Sequence, residues 1–456
     1  MRQKMISNEI IILRDTFRRL LRRKANTNLT KLIEKTHPAD MALLFRFFSE
    51  IEQNELFTIM RPGEHTGEFL GELDELIIKR LIENETPQHV ADLLEFTSSN
   101  DQASILSVIN EEASQAILDL LKSEEQEEVE EIMGYPEDSA GTLMYTDVFT
   151  LQENTLAKEA INVLQDHESS EMVFYLYVID DGERLVGVIS LRDLVTTPPD
   201  TELKAIMIRS PHTVRPETDQ EEVARIVSQY NYLAVPVIDQ EGQLLGIVTV
   251  DEIVDVIREE ATEDFLQMAG AGKDREILMK SSWDNARSRL PWLFASWVGG
   301  ICAAAVIGIF DNTLQGTLAL AAFIPVVIGM GGNIGTQTST LVVRGLATGR
   351  VNVGNNINII FKEIRVGMIL GILYGLLLGL FAIMRFVDIS PYLGLVVGLG
   401  IASSMLIATA FGSLVPLLLH RIDVDPAIAT GPFVTTSIDI LGVGLYLGIA
   451  KIFLPV

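Results

Sequence analysis

The sequence predicts a multidomain membrane protein: an α-superhelical N-terminal domain, an α/β domain built as a tandem pair, a connecting helix, and an all-α transmembrane domain of five helices. Three observations carry that prediction. Charge divides the chain sharply, since 28 Lys+Arg and 56 Asp+Glu precede Pro291 whereas 7 and 6 follow. The nearly neutral later part holds five apolar runs, each long enough at about 1.5 Å per residue to cross a bilayer. Within the acidic part, one block of sequence recurs at an offset of 59 residues.

Residues 1–134 read as one short helix after another. Apolar residues recur at helical spacing in Met41–Phe48, Val90–Phe96 and Ala116–Leu121, with breaks at His37-Pro38, Arg61-Pro62-Gly63, Thr86-Pro87 and Ser98-Ser99-Asn100. Helices of similar length in series predict a stacked superhelix. The acidic run Glu124–Glu131 reads as a solvated helix face.

Residues 135–264 form the tandem pair, with units at 144–203 and 207–264. Val178–Gly187 (VIDDGERLVG) aligns with Val237–Gly246 (VIDQEGQLLG), and Val188–Val195 continues into Ile247–Val254. Each unit reads as an entry strand, a helix, two strands joined at a Gly turn, and a closing helix. The second closing helix is unusually acidic. Glu252, Asp255 and Glu259, then Glu260, Glu263 and Asp264, recur at helical spacing, where like charges repel by about 0.2–0.5 kcal/mol per pair. A cation would relieve them, and oxygen ligands without His or Cys suit Mg²⁺ or Ca²⁺ rather than zinc. The alternative is a helix simply facing water.

Residues 265–290 are expected to be a connecting helix, with Glu276 along it and Arg287 and Arg289 at the membrane edge. The spans, within 291–456, are expected at Pro291–Phe310, Thr317–Val343, Val366–Met384, Leu393–Leu418 and Ala427–Leu454. Arg287, Arg289, Arg344, Arg350, Lys362, Arg365, His420 and Arg421 fall in alternate connections, which the positive-inside rule makes cytoplasmic; Asp311 and Asp388 fall in the others, with Arg385 as the exception. The acidic part is then inside the cell and Val456 outside. The N-terminus shows no signal-peptide core.

Two stretches of the membrane part carry chemistry. The last span holds Asp439, a carboxylate whose place at mid-membrane costs about 2.5–3.5 kcal/mol on insertion scales and marks an ion path by default. Thr435 and Thr436 lie one turn before it. The alternative is a protonated Asp bonded to a neighbouring helix. The second span is expected to break at Gly329-Met-Gly331-Gly332 and to resume with Asn333, Thr336, Gln337 and Thr340 on one face. Small-residue helix packing is the alternative there. The single cysteine, Cys302, excludes internal disulfides and a thiolate metal site, and the acidic soluble part excludes nucleic acid as a partner. No P-loop is present, so nothing points to ATP hydrolysis, and the chain reads as a non-enzyme.

The repeated unit resembles a CBS domain, and a tandem pair of these implies an adenine nucleotide such as ATP in the cleft between repeats. On that resemblance Asp193, three residues after Ser190, is the ribose-binding acid; Arg192 reaches a phosphate and Tyr175 stacks on a base. The second unit has Glu252 after Thr249 instead of Asp. The whole chain resembles the MgtE family of magnesium channels and transporters, most specifically in Pro325…GMGGNIGTQ (Gly329–Gln337), RGLATG (Arg344–Gly349), YPEDSAGTLM (Tyr135–Met144), and Asp425-Pro426 with Asp439. The resemblance implies a homodimer in the cytoplasmic membrane with a pore at its interface. It makes Asp439 the carboxylate holding hydrated Mg²⁺, puts Asp425 near the cytoplasmic mouth and Glu363 near the start of the third span, and implies closure when cytoplasmic Mg²⁺ binds acidic surfaces. The expected regulatory metal residues are Asp92, Glu221, Asp251, Glu252, Asp255, Glu260, Glu263 and Asp264; the expected pore-lining residues are Asn333, Thr336, Gln337, Thr340, Glu363, Thr435 and Thr436. The family often has Asn where this chain has Thr336 and Gly431.

Three other readings compete. A transporter of Co²⁺, Mn²⁺ or Zn²⁺ would favour soft ligands near the pore, and the spans offer only Cys302. A CBS-regulated exporter or chloride channel places its CBS units after its spans, and an anion pore prefers basic residues. A membrane-tethered nucleotide sensor without transport leaves Asp439 unexplained.

Overall fold

The computed structural model describes residues 2–454 except 61–62, 84, 167–173, 274–276, 278, 352–355, 387–389 and 423, so the break at Arg61-Pro62 and the residues Glu276, Asp388 and Val456 lie outside the described residues. The chain divides into two compact units, Met1–Ile257 and Arg258–Val456.

The first unit opens with ten helices: α1 (Arg2–Arg22), α2 (Asn26–Ile33), α3 (Pro38–Phe45), α4 (Glu50–Ile59), α5 (Glu64–Gly71), α6 (Glu75–Ile82), α7 (Pro87–Leu94), α8 (Ser99–Val108), α9 (Glu111–Leu118) and α10 (Ser123–Met133). Their starts follow from local chemistry. Ser49 caps α4 reciprocally with Glu52, Thr86 caps α7 ahead of Pro87, and Ser98 caps α8 through the Asp101 N–H. Helices two apart pack together, α3 on α5, α5 on α7 and α7 on α9 in one row, α2 on α4, α4 on α6, α6 on α8 and α8 on α10 in the other. That is the expected stack, closed over Phe17, Phe45, Phe57 and Phe69.

After α11 (Ala140–Leu143) the repeat becomes visible in backbone register. The first half comprises β1 (Thr150–Gln152), α12 (Ala157–Asp166), β2 (Tyr175–Ile179), β3 (Leu185–Ser190) and α13 (Leu191–Thr196). Its sheet continues to β4 (Ile208–Arg209) in the order β1-β2-β3-β4. The second half comprises α14 (Gln220–Tyr230), β5 (Ala234–Ile238), β6 (Leu244–Thr249) and α15 (Val250–Met268). Tyr175 pairs with Ser190, as Ala234 pairs with Thr249, and both hairpins carry a register shift at matching positions, Val178/Ile179 and Val237/Ile238. The entry strand of the second half is reduced to a single bridge, Val214 to Val237.

Two expectations fail here. Residues 265–290 are not one helix: α15 ends at Met268, and the next helix, α16 (Ser282–Ile309), starts at Ser281, whose side chain accepts from the Asp284 N–H. Gly270 (φ +68°) and Gly272 (φ +96°) adopt left-handed backbone that ends the first helix. Nor does the second span break at its glycines. After α17 (Asp311–Gly316) comes a 3-10 segment, Leu318–Phe323, and then α18 runs unbroken from Ile324 to Ala347. Gly331 and Gly335 serve close packing instead: a side chain at Gly331 would meet Ser404 and Ile438, and one at Gly335 would meet Ile438 and Val434, whereas Gly329 and Gly332 face open space. The irregular turn lies earlier, at the 3-10 segment, where buried Tyr446 donates its hydroxyl to the Leu320 carbonyl at 3.1 Å.

The remaining helices are α19 (Asn356–Arg385), α20 (Leu393–Arg421) and α21 (Pro432–Phe453), the last preceded by a 3-10 turn, Pro426–Thr430. Among the described residues, five helices are long and apolar enough to cross a membrane: Ser282–Ile309, Leu318–Ala347, Ile357–Arg385, Leu393–Arg421 and Pro432–Phe453. α20 is the centre, packed on α18, α19 and α21. Gly375 and Gly379 lie so close to the Gly398 and Gly394 carbonyls that a Cβ on either would come within 2.6 Å. In a bilayer, where apolar burial does not drive helices together, such close backbone approach supplies the attraction.

Candidate functional site

Three groups of polar residues stand out, two in the membrane-spanning unit and one in the soluble unit.

The first follows α18 and α21. Asn333, Gln337 and Thr340 are exposed on the outer surface of the chain, spaced one turn apart along α18. Thr336 is half-buried and donates back to the Gly332 carbonyl at 2.9 Å. On α21, Asp439 is half-buried, and its Oδ1 is buried without a hydrogen-bond partner. The alternative of a carboxyl bonded to a neighbouring helix therefore finds no support at that oxygen. Thr435 donates to the Gly431 and Pro432 carbonyls, both at 3.3 Å. Thr436 packs on Gly299 of α16, where no larger residue fits. Ile438, next to Asp439, fills the space that Gly331 and Gly335 leave, and so fixes α21 against α18. Glu363 lies elsewhere. It is buried within the unit and accepts from Thr338 at 3.2 Å, on the inner side of α18 rather than with the exposed polar row.

The second group lies where the end of α15 meets the turn before α21. Asp425 caps that turn, its Oδ1 accepting from the Ala427 N–H at 2.8 Å. Its Oδ2 accepts from the Gln267 amide at 2.7 Å, and the same amide nitrogen donates to Glu263 at 3.0 Å. Lys273 pairs with Glu263 at 3.1 Å. Gln267 is 1 % exposed, and its carbonyl Oε1 has no partner. Asp264 is pushed up to about 6 by burial and by Asp425, with Arg344 opposing. Sequence reasoning found Asp425, Glu263 and Asp264 but missed Gln267, which joins the first two. A neutral amide within an acidic run gave no signal. Gly431 also lies here: a Cβ on it would meet the backbone carbonyl of Gln267 at 3.6 Å.

The third group is in the soluble unit, at the start of α15. Glu252 accepts from the Tyr145 hydroxyl at 2.7 Å and from the Asn100 amide at 3.3 Å. Desolvation first, then Asp101, pushes it up to about 7. Asp101 is raised too, by burial and by Asp251, although its bond from Ser98 opposes this. Asp101 is the acid that reasoning from sequence overlooked, because Ser98-Ser99-Asn100-Asp101 reads as a helix start and serves as one. The expected Asp92 is not in this group; it is exposed and accepts from Gln88 of its own helix at 2.9 Å. Glu221 is exposed at the start of α14, and Asp255 and Glu260 lie further along α15. Among the described residues, no three His, Cys, Asp or Glu side chains converge as a metal cage.

In the first repeat, strand pairing sets Tyr175 opposite Ser190, and Arg192 and Asp193 follow at the start of α13. Asp193 accepts from Ser190 at 2.7 Å. Tyr175 accepts from the Leu233 N–H at 3.4 Å, beside a stack of His212 on Tyr230 (4.2 Å between ring centres) and Tyr230 on Tyr232 (5.4 Å). The two repeats thus use their equivalent acids differently. Asp193 is exposed, whereas Glu252 is taken up by Tyr145 and Asn100.

Comparison with known proteins converges on one family. Family models match at residues 324–449 (a divalent cation transporter domain, MgtE), 36–138 (the MgtE intracellular N domain), and 140–199 and 203–259 (CBS domains). The magnesium transporter MgtE of Bacillus subtilis is 34% identical over 437 residues, covering 95% of this chain and 96% of that protein. Its namesake from Thermus thermophilus is 34% identical over 433 residues, covering 93% and 95%. Among solved structures, the cytosolic domain of the Mg²⁺ channel MgtE in complex with ATP is 32% identical with a TM-score of 0.51, covering 53% of this chain and 99% of that one. The soluble part of a magnesium transporter is 29% identical with the same TM-score, covering 55% and 99%.

Proposed function

The chain belongs to the MgtE family of magnesium transporters, and from that premise we propose that it carries Mg²⁺ into the cell through a channel-like path shared by two copies of the chain. The observation that carries this reading is Asp439, a carboxylate in a spanning helix with a buried oxygen that nothing among the described residues satisfies. The polar row Asn333, Gln337 and Thr340 supports the shared path. It faces outward from a membrane helix, where lipid offers no hydrogen bonds and a second copy enclosing water does.

The chemistry suits Mg²⁺, which sheds water reluctantly and is held through its hydration shell by one or two carboxylates and neutral oxygens. Softer metals would need His or thiolate near the path, and Cys302 is the sole cysteine. Asp439→Ala should abolish Mg²⁺ uptake into proteoliposomes while leaving the protein folded and inserted. Equal uptake by both proteins would refute the reading.

Regulation follows from the same chemistry. Glu252 with Asp101, and Asp264 with Asp425, are carboxylates held near one another at a desolvation cost, with oxygen donors that fit a divalent cation. Cytoplasmic Mg²⁺ at such acids would stabilise the arrangement that closes the path, and α15 carries members of both groups on one continuous helix. The N-terminal unit is then cytoplasmic, a reading that the distribution of Arg and Lys supports. An adenine nucleotide would bind at the first repeat, where Tyr175 lies beside the Tyr230–Tyr232 stack and Arg192 and Asp193 follow its strand partner Ser190.

A further inference from the structure

The charge of the soluble unit is not uniform. Residues 1–35 contain ten Lys+Arg against three Asp+Glu, whereas residues 36–290 contain 18 against 53. The basic end is therefore a distinct surface, and the fold shows what it presents. α1 turns Phe17 and Leu21 into the helical core, with Phe17 edge-on to Phe48 at 6.0 Å. Two of its arginines are engaged: Arg14 with Asp15, and Arg18 with Glu52 and the Phe47 carbonyl. Arg19, Arg22, Arg23, Lys24, Lys31 and Lys35 are all exposed, and among the described residues none makes an ion pair or a side-chain hydrogen bond; the acid among them is Glu34. Helical spacing sets Ile11, Ile12, Arg19 and Arg22 on the side of α1 opposite Phe17 and Leu21. Ile11 and Ile12 are 42% and 65% exposed.

We propose that this outer face of α1, with the Lys31–Lys35 end of α2, is a docking surface for anionic lipid headgroups. Charge complementarity requires an anionic partner. Two adjoining isoleucines beside the arginines select a bilayer over an acidic protein face, because an interfacial helix buries apolar side chains at the headgroup boundary while its basic residues meet phosphate. The bilayer is also the one anionic surface to which the chain is permanently tethered, so even a weak contact is made at high effective concentration. Each basic residue near such a surface strengthens binding about fivefold, and four of them by several hundredfold.

The experiment uses the full chain with Cys302→Ser and Ile12→Cys, labelled at the new thiol and reconstituted into vesicles carrying spin-labelled quencher lipids. Neutral phosphatidylcholine vesicles are compared with vesicles containing roughly one-third phosphatidylglycerol. Quenching should occur with the anionic lipid alone and should fall away in about 0.5 M salt, where charges are screened beyond about 4 Å. It should also be lost in Arg19→Gln/Arg22→Gln/Arg23→Gln/Lys31→Gln, whose substitutions touch no core residue. Quenching that is equal in both lipids, or that persists in the fourfold variant, overturns the proposal. A signal that follows the protein-to-lipid ratio rather than lipid charge assigns the face to a second copy and likewise overturns it.

Discussion

Gln267 shows how one neutral side chain can hold an acidic site together. Its amide nitrogen donates to two carboxylates at 2.7 and 3.0 Å, while its own carbonyl is left unsatisfied in a buried position. Hydrogen bonds to charged groups contribute about 1.5–3 kcal/mol each, so Gln267→Ala should expose the last turn of α15 to exchange about 10- to 100-fold faster. Hydrogen exchange of the peptide covering 260–268 measures this; unchanged exchange would mean that Gln267 bridges nothing. Glu252 gives a pH prediction. Its pKa is raised from 4.5 to about 7 in the folded chain, so the folded form binds the extra proton between those values. Stability from this group is therefore full below about 4.5 and is lost as pH rises through about 7. Exchange in the Asn100 and Tyr145 segments should slow as pH falls across that window, after correction for the intrinsic exchange rate. Glu252→Gln should remove the dependence. Asp193 and Glu252 occupy equivalent places in the two repeats, yet only Glu252 is drawn into a contact with Asn100 and Tyr145. Spacing locates a carboxylate on a helix; it says nothing of the Asn100 and Tyr145 that arrive from far along the chain.

Among the elements, α18 is the clearest case of a motif legible in position and misread in conformation. Four glycines within Gly329–Gly335 suggest a broken helix, because glycine is a poor helix former in water. In the membrane unit two of them, Gly331 and Gly335, admit Ile438 and Ser404 instead, and the backbone hydrogen bonds stay within the helix, as a lipid environment demands. Gly335→Val should consequently lower the thermal stability of the detergent-solubilised protein, since inserting methyl groups into a packed contact costs about 1–3 kcal/mol. A melting temperature equal to that of the unmodified chain would show that α21 can retreat without loss. The connecting segment was misread for a related reason. Apolar and charged residues from 276 to 290 do follow helical spacing, but Gly270 and Gly272 interrupt the backbone before that pattern begins. Of the polar row expected on α18, Asn333, Gln337 and Thr340 are exposed along one face, as 3.6-residue periodicity dictates, whereas Thr336 is half-buried and turns back to the Gly332 carbonyl.

For the whole molecule, charge distribution and the repeat said most. The division at Pro291 separates helices that must meet water from helices that must meet lipid, and it follows from desolvation alone. The 59-residue repeat predicted both hairpins, and their register shifts fall at matching positions although the turns differ in sequence, with Glu183 in one and Gly242 in the other taking the positive-φ place. What remained illegible were contacts between distant segments: Asn100 with Glu252, Gln267 with Asp425, and Thr338 with Glu363. Each joins residues whose partners are fixed by packing, which no local pattern records. A chain built in this way should unfold in two steps, the soluble unit melting separately from the membrane unit, and calorimetry with and without Mg²⁺ should move the first step upward. A single transition unaffected by Mg²⁺ would contradict that division.

The bare carboxylate of α21 also bears on how the chain is made. With a mean hydropathy of 1.6, Pro432–Phe453 is the least apolar of the five spans, and it is the last to leave the ribosome. A segment carrying Asp439 partitions poorly from the translocon by itself, whereas α18 and α20, already threaded, offer Gly335, Gly400 and Ser404 as a ready seat for Ile438 and Tyr446. Biogenesis of the final helix is thus expected to await its companions, so that the residue serving the ion is admitted to the membrane by a surface that has already been assembled.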